Sequence, residues 1–136
     1  MADGLKIFVD DNRFPSPEYD KTFQGAEFFI KWVKNNPDAK IKKLSLDHDL
    51  GVNYMDGTQL CQKLLTPNSK GQILLPETEY VQFYTNNARG WKNMYKLFRT
   101  AKEKGLIKTE ICPYLVVATD GQDRDEEFIY DLSVDC

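Results

Sequence analysis

The hydrophobic positions of the chain fall into two alternating patterns, short apolar runs and helical faces. Leu5-Lys6-Ile7-Phe8-Val9 is a β-branched and aromatic run that stops at Asp10-Asp11, which reads as a buried strand. The stretch DDNRFPSPEYD that follows holds two prolines, an asparagine and a serine, and reads as a loop. From Gly25 to Asn35 the apolar residues Ala26, Phe29, Ile30 and Val33 share one helical face, closed by Asn35-Asn36-Pro37. Lys43 to Leu46 is a second strand, ending at Asp47. Gly57, Leu60, Cys61, Leu64 and Leu65 trace a second helical face that stops before Pro67. Tyr80 to Thr85 reads as a third strand running into Asn86-Asn87. Trp91, Met94, Tyr95, Phe98 and Ala101 repeat at helical spacing and end near Gly105. Pro113 then introduces Tyr114-Leu115-Val116-Val117-Ala118, the most apolar strand of all.

Strands that are apolar throughout, separated by amphipathic helices, predict a parallel sheet covered on both faces. Neither internal repeats nor low-complexity tracts interrupt the pattern, and Pro67 to Gly71 reads as a surface loop. The expectation is a single α/β domain over residues 1–136, with its core at about 5–120.

Composition narrows the class. With 41% hydrophobic and 29% charged residues, the chain can bury a core without disulfide or metal staples. No apolar run approaches the roughly 20 residues of a membrane helix, and the N-terminal MADGLKIFVDD does not resemble a signal peptide. Cys61, Cys112 and Cys136 are an odd, widely spaced set, which favours a reducing, cytoplasmic setting over a disulfide framework or structural zinc. The net charge of −3 hides an asymmetry: residues 120–136 hold seven acids against Arg124, hence −6, and the remainder carries +3. This balance excludes a duplex nucleic-acid binder. The lysines at 40, 42 and 43 and the basic residues from Arg89 to Lys108 read as solvated faces.

In open parallel sheets, ligands bind beyond the carboxyl ends of the strands. Here the strands run into Asp10-Asp11, Asp47-His48-Asp49, Thr85-Asn86-Asn87 and Thr119-Asp120. Parallel strands would bring these groups to one edge, where several carboxylates repel unless a cation sits between them or some take up protons. Oxygen ligands of this kind suit Mg²⁺, Mn²⁺ or Ca²⁺, and magnesium with a few carboxylates commonly holds a phosphate. An EF-hand starting at Asp47 fails, because Val52 and Thr58 stand where glycine and glutamate are required. Each group also has a plainer explanation. Asp10-Asp11 suits turn chemistry, and Thr85-Asn86-Asn87 suits a helix-capping turn. His48, the one histidine, is flanked by acids at a strand end and is an acid/base candidate.

Asp10-Asp11 after the first strand, Asp47 after a central one, Asp56-Gly57 opening the next helix and Thr85 at a later strand end resemble the response-regulator receiver domain. A closer resemblance is to the cyclic-phosphate processing receiver-like family of bacteria and their phages. It is carried by Asp10, Asp11, Arg13 and Phe14-Pro15, then by SLDHDLG at Ser45 to Gly51, and then by Thr85, Asn87, Gly90 and Asn93-Met94. The resemblance implies a receiver-like (flavodoxin-like) three-layer sandwich with a mostly parallel central sheet. It departs at the last strand, where a receiver places a lysine and this chain has Ala118-Thr119-Asp120. Residues 11 to 21 show no helical face, so the first receiver helix is missing.

The function implied is metal-dependent hydrolysis of a phosphate ester, a nucleotide carrying a cyclic phosphate, in the bacterial or phage-infected cytosol. Asp10, Asp11 and Asp47 would hold Mg²⁺ or Mn²⁺. Asp47, His48 and Asp49 would form the catalytic group, with His48 or Asp49 moving protons. Arg13, Thr85 and Asn87 would bind the phosphate. Two alternatives stand beside this reading. One is a receiver-derived module that binds a nucleotide or accepts a phosphoryl group without turnover. The other is a protein-binding module, aimed at a host target in phage–host conflict, that uses the acidic C-terminal segment.

Overall fold

The three helical faces read from the sequence all close over the same layer of strands. A computed structural model describes residues 4–10, 19–48, 50, 55–83, 85, 87–117 and 126–131, the stretches 114–117 and 126–131 as backbone. In chain order the elements are β1 (Leu5–Val9), β2 (Lys21–Phe23), α1 (Ala26–Asn35), β3 (Lys40–Leu46) and α2 (Gly57–Leu65). Then come β4 (Glu77–Phe83), α3 (Ala88–Glu103), β5 (Glu110–Ile111), β6 (Tyr114–Val117) and β7 (Glu126–Asp131). The first five strands form one all-parallel sheet in the order β2-β1-β3-β4-β5. This is the α/β, receiver-like arrangement expected from the sequence.

Strand alternation divides the sheet into two faces. Ile7 and Val9, Leu44 and Leu46, and Val81 and Phe83 join Phe29, Ile30 and Val33 of α1, Leu60, Cys61 and Leu64 of α2, and Trp91, Met94 and Phe98 of α3. Each of these large side chains contributes about 1.5–3 kcal/mol by leaving water. The opposite face carries a second, smaller cluster of Phe8 and Cys112, with Tyr19 and Tyr80 packed on it.

The helices begin where their caps dictate. Asp56 forms a reciprocal box with Gln59, whose amide donates to Asp56 Oδ1 at 2.8 Å while the Asp56 amide donates to Gln59 Oε1 at 2.9 Å. At α3 the Asn87 side chain accepts from the Gly90 amide at 2.9 Å.

Two expectations need correction. Tyr114 to Val117 is a strand, but it lies outside the parallel sheet and pairs antiparallel with β7 in a separate two-stranded ribbon. Continuous apolarity marks burial, not the partner, so it cannot separate these cases. The true fifth strand is the two-residue β5, too short to show a period. The acidic segment after Asp120 likewise contains β7, built on Phe128, Ile129 and Tyr130 between acids. The edge strand β2 also escapes the pattern, being three residues long. Aromatic contacts tie it down, with the Phe23 ring 5.4 Å from Phe29 and 5.8 Å from Trp32.

Candidate functional site

From β1 the chain moves outward to β2, whereas from β3 it moves the other way to β4 and β5. The carboxyl ends of β1 and β3 are therefore the switch point of this sheet, where a crevice opens by topology alone. Asp10 and Asp47 stand there. The ladder continues one step past each strand: the Asp10 amide donates to Phe23 O at 3.0 Å and the Asp47 amide to Val9 O at 3.0 Å. Both residues thus keep the alternation and fall on the face shared with Phe8 and Ser45, away from the helices. Neighbouring strands lie about 4.8 Å apart, so the two residues occupy adjacent strand-end positions. Asp10 is 1% exposed and Asp47 4%. Two acids buried side by side repel in the charged form, and burial deprives each of solvation. An oxygen-only donor pair of this kind fits a hard divalent cation that keeps some of its water. Among the described residues no group of three or more His, Cys, Asp or Glu converges on a metal-sized site.

His48 turns to the opposite side. Its ring is wedged between the N-termini of α2 and α3, with Nδ1 3.3 Å from Asn87 Nδ2 and Nε2 3.8 Å from Asp56 Oδ2. The His48 carbonyl accepts from the Gly57 amide at 2.7 Å. Two glycines make this room. A Cβ on Gly90 would lie 2.3 Å from His48 Cγ, and one on Gly57 would lie 2.7 Å from His48 Cα and 2.6 Å from the Asp47 carbonyl oxygen. The His48 side chain is 13% exposed.

Thr85 follows β4 and is fully buried, its hydroxyl accepting from the Asn87 amide at 3.1 Å. Thr85, Asn87, His48 and Asp56 therefore form one connected cluster at the start of the two helices. Asp10 and Asp47 stand at the adjacent ends of β1 and β3, by strand alternation on the other face of the sheet. Asp11, Arg13 and Asp49, which the sequence assigns to the same site, lie outside the described residues. Thr119-Asp120 also lies outside them; among the described residues the parallel sheet closes with β5. That strand leads into Cys112-Pro113 and, like the one read from the sequence, ends without a lysine.

The sequence reading missed a polar cross-tie behind the acids. Gln82 Nε2 donates to Ser45 Oγ at 2.8 Å, and Ser45 Oγ shares a 2.5 Å hydrogen bond with the Tyr19 hydroxyl. The signal was present: Ser45 and Gln82 are polar residues inside strands that are otherwise apolar at their buried ends.

Among the described residues no helix is long and apolar enough to cross a membrane. Neither a curated protein nor a solved structure matches the chain. Residues 5–100 match the family model of the cyclic-phosphate processing receiver domain, a span that takes in β1 through most of α3 and both clusters at the strand ends. The all-parallel sheet, the acids at its switch point and this match agree: the chain belongs to the cyclic-phosphate processing receiver domain family.

Proposed function

We propose that this protein hydrolyses a phosphate ester, in the form of a nucleotide carrying a cyclic phosphate, at a divalent-metal edge built on Asp10 and Asp47. The observation that carries the reading is the burial of Asp10 and Asp47 at the adjacent ends of β1 and β3, the switch point of a parallel sheet. A bound Mg²⁺ or Mn²⁺ supplies Lewis acidity toward a phosphoryl oxygen and acidifies water. The chain's own contribution is placement. Asp10 and Asp47 would offer carboxylate oxygens to the cation, and the low exposure of both would strengthen that attraction. Asp11 would complete the ligand set, and Arg13 would clamp a non-bridging oxygen through its planar guanidinium. Thr85 and Asn87, at the end of β4 beside β3, would donate hydrogen bonds to the phosphate. Ring opening adds the oxygen of water to phosphorus, breaks one ring ester bond and delivers a proton to the departing sugar oxygen. Asp49 and His48 are the groups assigned to that proton traffic. Of the two, His48 is constrained on both ring nitrogens, by Asn87 and Asp56.

Product analysis tests this reading. A panel of cyclic-phosphate nucleotides is incubated with the protein and Mg²⁺ or Mn²⁺, beside Asp47→Asn, and the products are resolved by chromatography and mass spectrometry. Metal-dependent ring opening that vanishes in the variant is the expected result. Turnover unchanged in Asp47→Asn removes Asp47 from the mechanism, and ligand retained without turnover makes the protein a binding module.

A further inference from the structure

The row of side chains behind the two acids is polar where a sheet buried on both faces calls for hydrocarbon. On the face away from the helices, β1, β3 and β4 present Phe8, Ser45 and Gln82 in register, all buried. Phe8 stands two residues before Asp10 and Ser45 two before Asp47, so this row lies about 6.6 Å behind the carboxylates on the same face. Tyr19 meets every member of it. Its hydroxyl bonds Ser45 Oγ at 2.5 Å and receives the Gln82 amide at 3.4 Å, and its ring lies 5.0 Å from that of Phe8. Lys43 Nζ sits 5.4 Å from the centre of the same ring. The next residue is fastened too: the Asp20 amide donates to Lys6 O at 2.7 Å, and the Asp20 carboxylate accepts from the Lys6 amide at 2.8 Å.

We propose that Tyr19 is a positioning residue for the Asp10–Asp47 pair, cross-tying the three strands one row behind it. This rests on the reading of that pair as a metal site. Two carboxylates on adjacent strand ends can share a cation only if the ends of β1 and β3 keep their relative placement. Hydrocarbon packing resists sliding weakly because it has no direction, whereas the Tyr19–Ser45–Gln82 bonds hold only at one relative placement of β3 and β4. The ring on Phe8 extends the constraint to β1. A polar row that breaks the local pattern of a strand core is the kind of exception expected next to a functional site.

The test is Tyr19→Phe, which keeps the ring and removes the hydroxyl. Mn²⁺ binding by the full chain, followed by titration calorimetry, is expected to weaken about three- to tenfold, the equivalent of one net hydrogen bond. In the metal-free protein, exchange of the Asp47 amide, which bonds Val9 O, should accelerate relative to that of the Cys112 amide, which bonds Val81 O. Thr109→Val is the control. It deletes a buried 2.8 Å bond from Thr109 Oγ1 to Thr78 O at the opposite end of the sheet, and should lower stability without touching Mn²⁺ affinity. Wild-type affinity in Tyr19→Phe, or an equal loss of affinity in Thr109→Val, overturns the assignment. If binding disappears in Asp47→Asn but survives in Tyr19→Phe, only the Tyr19 assignment falls. A wild type that does not bind Mn²⁺ sinks the metal reading and the assignment together.

Discussion

Replacing Gly90 by alanine sets two known effects against each other at one position. Gly90 sits in the first turn of α3, where alanine is the better helix former by about 0.5–1 kcal/mol. Propensity alone therefore predicts a more stable protein. The structure opposes this, because the new Cβ would lie 2.3 Å from His48 Cγ, 2.5 Å from Cδ2 and 2.7 Å from Nδ1. These are atoms of a rigid ring, and the ring has little space for retreat. Its own Cα is crossed by the Gly57 backbone, and its nitrogens face Asn87 and Asp56. Overpacking of this kind costs about 1–3 kcal/mol, and displacing the ring also gives up its contacts at the two helix caps. The clash wins, and we expect a net loss of about 2 kcal/mol, or roughly 6–10 °C in Tm for a domain of this size. Urea unfolding followed by tryptophan fluorescence reads it directly, since Trp91 is fully buried beside the substituted residue. A double-mutant cycle isolates the cause. With His48→Ala already in place the ring is gone, and Gly90→Ala should then stabilise by about 0.5–1 kcal/mol. Equal destabilisation in both backgrounds would refute the argument that the glycine exists to admit the imidazole. So would an alanine variant as stable as the wild type.

Two other predictions concern the same neighbourhood. Asp56→Ala removes the side-chain half of the α2 capping box and the carboxylate 3.8 Å from His48, and should cost about 1–2 kcal/mol in urea unfolding; a change within error would show that this cap is dispensable. Cys61 is fully buried, and burial, aided by the Asp56 charge, pushes its thiol well above the ordinary value of 9.0. The folded state therefore favours the protonated thiol. Stability is unaffected below the ordinary value and falls as pH rises above it, where only the unfolded chain ionises. Cys61 should accordingly resist iodoacetamide in the native protein at pH 9 and react on unfolding, as mapped by peptide mass spectrometry; labelling of the native thiol at the unfolded rate would contradict the burial argument.

Much of the site was legible because strand ends punctuate this sequence with acids. Asp10 and Asp47 stand out as charged residues directly after apolar runs, and the structure puts both at the switch point of the sheet. The joint assignment of Asp47 and His48 to one catalytic group was less secure for a geometrical reason. Adjacent residues at a strand end point to opposite faces, so the two share a sequence motif and face different surroundings. Tyr19 was invisible for the converse reason. Its partners Ser45 and Gln82 lie far along the chain, and nothing local to Tyr19 marks it.

By itself the sequence determined the helices, the three central strands and the acidic strand ends, because each is written in local periodicity and in where that periodicity stops. The parallel direction of those strands and the resemblance to the family also followed from it. Tertiary structure alone decided the partners. It made a two-residue segment the fifth strand, since pairing with β4 supplies the hydrogen bonds that so short a run cannot supply for itself. It sent the most apolar strand to an antiparallel ribbon with β7, drawn from the acidic segment after Asp120. It also set His48 between two glycines and Tyr19 across three strands, contacts that depend on the distance between elements.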